Sequence, residues 1–349
     1  MADAPLQAIS PSLPTLATDN QIPMKLLPTL IISSIAMLLA QAASAHEYDA
    51  LIRAKKYAEV EKAATTRLST DPNNADALLA KADLILTEGK LDKLDDAAKL
   101  AEQCIAAHPQ LSECHEMLGN VLGTKATSGN IMAAMSYAGK IRDAFLKAVE
   151  LDAKNFSARN SLLQFYLQAP AIAGGGKSKA QNLILETAKI SPAASTLMQA
   201  NVDLGEEKFA SAETGALSAI PGNIEALTRM QRNVLFSVGA NYVQQKKFAD
   251  AERIFGDLQQ RFPDKYSGSY GMGRSMQEQG KNKEAIAWFE KSLTLEVSAA
   301  TYYRIAQCQQ AINDKTKAIA YFEKSLNTRP LMSKKLRADA EDQLKALKT

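Results

Sequence analysis

The residues in this chain best suited to chemistry are few and scattered. The string Ala173-Gly-Gly-Gly176-Lys177-Ser178 holds the glycines and the lysine from which phosphate-binding loops are made. Such a loop takes a Gly five residues ahead of its Gly-Lys-Ser/Thr and is entered from a strand. Here that position is Ala171 and the preceding Leu162–Leu167 reads as helix, so the string is a Gly-rich connection between helices. Cys104 and Cys114 flank His108-Pro109, one near the end of a predicted helix and the other early in the next. A short turn between consecutive helices brings such positions near each other, and the pair either bridges, as an oxidising compartment allows, or stands as two small buried thiols. Cys308, alone in a predicted helix, reads as core. His108, Cys114 and His115 have no acid arranged beside them, and His46 has no second His placed to join it, so no metal site is expected. Asp92, Asp95, Asp96 and Glu102 read as solvated helix faces. The chain is therefore read as non-enzymatic, with no cofactor.

The elements that position these residues are repeats. From Val238 to Pro330 one pattern of about 34 residues recurs nearly three times. Its clearest copies are Ala285-Ile-Ala-Trp-Phe-Glu-Lys-Ser-Leu293 and Ala318-Ile-Ala-Tyr-Phe-Glu-Lys-Ser-Leu326, with a third variant at Ala251-Glu-Arg-Ile-Phe255. Along the chain, His108-Pro109, Ser191-Pro192, Phe262-Pro263 and Arg329-Pro330 punctuate amphipathic segments that are apolar at helical spacing. Proline cannot continue the helix before it, and Asp71-Pro72-Asn-Asn74 adds a turn and an N-cap. Ala, Leu and Lys are the commonest residues and aromatics are only 6%, a helix-forming mixture that makes the fold all-α. With 41 basic residues against 38 acidic ones and no block of like charge, the basic stripe that nucleic-acid binding needs is missing.

The repeats resemble the tetratricopeptide repeat. That pattern is met by Val238, Gly239, Tyr242, Ala251, Phe255 and Pro263, then by Met272, Gly273, Ala285 and Phe289, then by Ile305, Ala306, Ala318, Phe322 and Pro330. Earlier copies are degenerate, with insertions at Gly123–Met135 and Gln168–Gly176. The resemblance implies a right-handed superhelical solenoid of antiparallel helix pairs, with about eight repeats over residues 46–332 and a capping helix over 333–349. The stretch Phe165–Lys177 also resembles a loop of exported bacterial members of this family.

Members of the family bind partners along the face of their first helices. Counting from the small residue in each first helix, the inward residues are Glu116 and Asn120, Asn160 and Gln164, and Phe236 and Ala240. They continue with Tyr270, Arg274 and Gln277, then Tyr303, Gln307 and Gln310. This amide-rich, aromatic surface with one cation suits a peptide or protein segment. The family's clamp for C-terminal carboxylates wants a cation where this chain has Glu116.

At the N-terminus, Met24-Lys25, the charge-free run Leu26–Ala40 and Ala43-Ser44-Ala45 together read as a signal peptide cut before His46. That predicts a periplasmic protein. An uncleaved segment, which is long enough to span, would instead make it a membrane-anchored assembly factor.

Overall fold

The computed structural model describes Tyr48, Leu51, Ile52 and residues 54–349, so the signal-peptide reading of residues 1–45 lies outside the described residues. Every regular element among the described residues is helical. Helix α1 (Tyr57–Thr70) is the second helix of a first pair. The next pairs are α2 (Ala75–Thr87) with α3 (Leu94–Ala107), α4 (Ser112–Ser128) with α5 (Ile131–Leu151), and α6 (Phe156–Gln168) with α7 (Lys177–Ala188). They are followed by α8 (Pro192–Gly205) with α9 (Phe209–Ser218) and α10 (Glu225–Gln244) with α11 (Phe248–Arg261). The last pairs are α12 (Ser267–Glu278) with α13 (Asn282–Leu295) and α14 (Ala299–Ala311) with α15 (Lys315–Asn327), before a single α16 (Lys334–Lys348). The expected all-α solenoid is what the structure shows.

Local chemistry sets the helix boundaries. Asn74, Asn155, Ser191, Asp314 and Ser333 each accept a hydrogen bond from the backbone N–H three residues on, satisfying donors that a helix start leaves free. The turns within pairs follow one plan. A residue at positive φ closes the first helix at Lys55, Gly89, Glu207, Lys246, Gly280 and Asn313. The N–H after each reaches back to the carbonyl five residues earlier, for example Lys247 to Tyr242 and Lys281 to Met276. This is the wrapped C-cap that consumes a helix's last carbonyls. The two pairs without it, α4/α5 and α6/α7, are those carrying the insertions.

Within the pairs, small residues face aromatics. A Cβ added at Gly119 would come within 2.5 Å of the Phe145 ring, and one at Gly273 within 2.6 Å of Phe289. In α14 the equivalent residue is Ala306, packed in one cluster with Phe322. Helix α16 lays Leu336, Ala340, Leu344 and Leu347 on Tyr303, Ala306 and Phe322, covering the apolar end of the array.

First helices crowd together. α2 packs on α4, α8 on α10 and α10 on α12, and α6 even reaches α10, skipping one pair. The second helices pack on the first helices of their own and the next pair, which puts the first helices on the inner face of the array. The insertion Gly123–Met135 is not a loop. It lengthens α4 to Ser128 and begins α5 at Ile131, leaving a tight turn at Gly129-Asn130. A longer-range contact also departs from nearest-neighbour stacking: Lys55 Nζ meets Glu296 Oε1 at 3.1 Å and the Val297 carbonyl at 2.9 Å, joining the first pair to the connection after α13.

Candidate binding groove

The expected inward residues do lie on first helices, and many of them bridge neighbouring first helices instead of pointing separately at solvent. Ser161 donates to Asn120 Oδ1 at 3.4 Å and Asn201 donates to Asn160 Oδ1 at 3.3 Å. Farther along, Gln277 donates to Gln307 at 3.4 Å and Gln310 donates to Gln343 of α16 at 3.1 Å. Glu116 accepts from Asn155 at 2.8 Å, the same residue that caps α6. The amides are thus a polar seam along the inner face. Ala240 is half-buried beside them.

The aromatic members are mostly packing. Phe236 and Tyr270 stack with ring centroids 6.1 Å apart, and Tyr270 also lies 5.6 Å from Phe289. Tyr303 departs from its expected role. It is only 4% exposed, its ring packs under α16, and its hydroxyl donates to Asp339 and accepts from Gln307. Burial, then the Asp339 carboxylate, push its pKa up to about 12. Counting from the small residue placed Tyr303 on the right helix, but it could not show that the cap would cover that turn. Arg274 keeps its place on the row Tyr270–Arg274–Gln277, and its Nε is buried without a hydrogen-bond partner.

Between α4 and α6 the inner face opens into a cleft of about 490 Å³. Its walls carry Asn120, Thr124 and Thr127 from α4, Met135 and Ala138 from α5, and Asn160, Gln164, Phe165 and Gln168 from α6. Ala169, Pro170 and Ala173 of the Gly-rich connection close it, and no charged residue lines it. Met132, 80% exposed, stands one turn before Met135, and Ile172, 89% exposed, stands on the connection itself. Sequence reasoning named Asn120, Asn160 and Gln164 singly and reached Thr124, Thr127, Met135 and Gln168 only as members of the two insertions. The signal available was the pair of insertions, which together build this cleft.

The Gly-rich connection does not cradle phosphate. The N–H groups of Gly174, Gly175 and Gly176 donate to the carbonyls of Ala171, Pro170 and Tyr166. A Cβ at Gly175 would fall 1.8 Å from the Ala169 oxygen, so glycine is there for close packing. Lys177 reaches away to Glu206 at 2.8 Å. Lys177 first and then Lys208 hold that carboxyl down at about 2.

Cys104 and Cys114 are joined as a disulfide, with Cα atoms 5.5 Å apart and both side chains buried. His108 and His115 bond the carbonyls of Asn73 and Pro109 and do not converge. Among the described residues no group of His, Cys, Asp and Glu is placed to hold a metal ion, and no helix is long and apolar enough to cross a membrane. Burial pushes the Cys308 thiol up to about 12, away from nucleophilic use.

No curated protein sequence matches the chain. Solved structures of similar fold include a tetratricopeptide repeat protein from Parabacteroides merdae, 16% identical, covering 79% of this chain and 99% of that one with a TM-score of 0.44. Another is the human IFIT1 dimer with PPP-AAAA, 14% identical, covering 78% and 63% with a TM-score of 0.48. A third is PilF of Pseudomonas aeruginosa, 14% identical, covering 72% and 90% with a TM-score of 0.37. Residues 299–330 match the tetratricopeptide repeat family. Arrays of this repeat are in general non-catalytic scaffolds for protein–protein interaction. The chain thus carries a tetratricopeptide repeat at α14/α15, and the same helix pair, turn and glycine–aromatic packing recur upstream of it.

Proposed function

We propose that this protein is a non-catalytic scaffold, exported to the bacterial periplasm, that holds a peptide or protein segment along the inner face of its first helices. The observation that carries this reading is the cleft between α4 and α6. It is large enough for a few side chains, free of charge, and lined by solvent-exposed Met135 and by amides that can bond a peptide backbone. Exposed apolar side chains beside a formed cleft are what a docking surface presents.

Gly123 supplies the test. It lines the cleft, and a Cβ there would meet nothing within 4 Å, so a Phe side chain can start from this position and fill the space. A photocrosslinking residue at Gln168 is expected to capture a discrete partner in the native cell, and Gly123→Phe to abolish the capture. Capture that survives the plug would place binding elsewhere. Export is read from the N-terminus of the mature protein. A start at His46 supports the periplasmic reading, while a retained Leu26–Ala45 segment would favour the membrane-anchored assembly factor.

A further inference from the structure

A second cleft, of about 700 Å³, lies between α8 and α9. Its α8 wall carries Ser195, Thr196, Gln199 and Asp203, and its α9 wall carries Ser211 and Thr214. Asp203 stands two residues, or about 200° of helix rotation, from the Asn201 that joins the amide seam, so this cleft opens away from the groove. It is 8% exposed and is the one charged group among the described residues lining the cleft. Gln199 donates to its Oδ1 at 3.0 Å and Ser211 to its Oδ2 at 2.6 Å. Among the described residues no ion pair reaches it: Lys208, whose charge is felt at Asp203, is held by Glu206 at 2.8 Å.

A carboxylate taken out of water without a cation carries a desolvation cost that two neutral donors only partly offset. Ser211 uses its hydroxyl hydrogen on Asp203, and Thr214 uses its own on the Ala210 carbonyl at 2.9 Å. What remains on these hydroxyls is lone pairs, which only accept. The complement of such a site is a group that is cationic and only donates, as an ammonium does. A guanidinium suits it less, because its planar fork seeks both oxygens of one carboxylate and here each already takes a bond.

We infer that the α8/α9 cleft binds a primary ammonium group, carried by a lysine side chain of a partner, with Asp203 as its counter-ion and Gln199, Ser211 and Thr214 as accepting neighbours. The site is separate from the α4/α6 cleft, and neither depends on the other.

The test is isothermal titration calorimetry on the full chain with four probes. Three are end-blocked tripeptides with glycine on either side of lysine, Nε-acetyl-lysine or arginine, and the fourth is butylammonium. The lysine peptide is expected to bind about tenfold tighter than either of the other peptides. Asp203→Asn, which keeps the side chain's shape and removes its charge, should erase that preference. Thr214→Lys sets a resident ammonium at the cleft from an exposed position and should also abolish binding, which keeps the test decisive if Asp203→Asn fails to fold. Gly123→Phe in the other cleft should change nothing. Butylammonium binding as tightly as the lysine peptide would keep the ammonium site and transfer it from a partner's side chain to free amines. Equal binding of the lysine and acetyl-lysine peptides, a stronger arginine peptide, no binding by any probe, or a preference that survives both variants overturns the inference and leaves the groove reading standing.

Discussion

Phe255 is held between two glycines. A Cβ added at Gly239 would come within 2.6 Å of its ring, and one at Gly271 within 2.2 Å. Gly271→Ala must therefore shift a fully buried ring, and we expect a loss of roughly 1–3 kcal/mol from overpacking despite alanine's better helix propensity. Gly256, in the same helix as Phe255 but with open space around it, is the control. Gly256→Ala is expected to gain about 0.5–1 kcal/mol, and urea denaturation of the two variants should move the midpoint in opposite directions. Tyr303 gives a second residue-scale prediction. Its pKa rises from 10.0 in the unfolded reference to about 12 in the fold, so its contribution is complete below pH 10 and lost as pH climbs toward 12. Thermal stability should fall across that window, and Tyr303→Phe should flatten the fall while lowering stability at neutral pH by leaving Asp339 without its donor. A Tyr303→Phe protein with an unchanged alkaline slope would count against the assignment.

The helices end through a shared device, and its chemistry is uneven. Gly89 and Gly280 take the left-handed turn freely, whereas Glu207, Lys246 and Asn313 take it with a side chain attached. Asparagine tolerates this conformation and glutamate and lysine do less well, at about 1 kcal/mol relative to glycine. Lys246→Gly is thus expected to stabilise by about 0.5–1 kcal/mol, read as a raised Tm, and Asn313→Gly by less. Gly280→Ala should destabilise by a similar amount. These turns also show what the sequence could convey. The regular pairs were legible because Gly239, Gly273, Phe255, Phe289 and Phe322 stand at fixed offsets that packing demands. The cleft was not, because it arises where α4 and α5 run past the repeat length and Gln168–Gly176 folds back on its own carbonyls. Such an insertion is visible as a break in period, but whether it extends a helix or makes a loop depends on tertiary packing. Tyr303 was placed on the right helix, but that α16 would bury it depends on tertiary packing in the same way.

Repeat arrays ordinarily couple only adjacent units, so stability is a sum of local terms. Here the apolar core runs without interruption from Leu122 to Phe262, while polar contacts of Lys55 with Glu296 and the Val297 carbonyl tie the first pair to the end of α13. Both side chains are partly solvated, so this tie contributes at most about 1 kcal/mol and is weakened by salt. It is therefore a tie that salt or charge reversal should release. Lys55→Glu sets two carboxylates against each other and should raise the open fraction up to about fivefold. The effect is expected as faster amide exchange in Tyr57–Thr70 and in the 295–298 connection, with α10 and α11 unchanged. Lys55→Glu combined with Glu296→Lys restores the pair with reversed polarity and should return exchange to the wild-type rate. High salt should bring the wild type toward the single variant. If the single variant exchanges like wild type at low salt, the contact holds nothing and access to the inner face is set by the helix pairs alone.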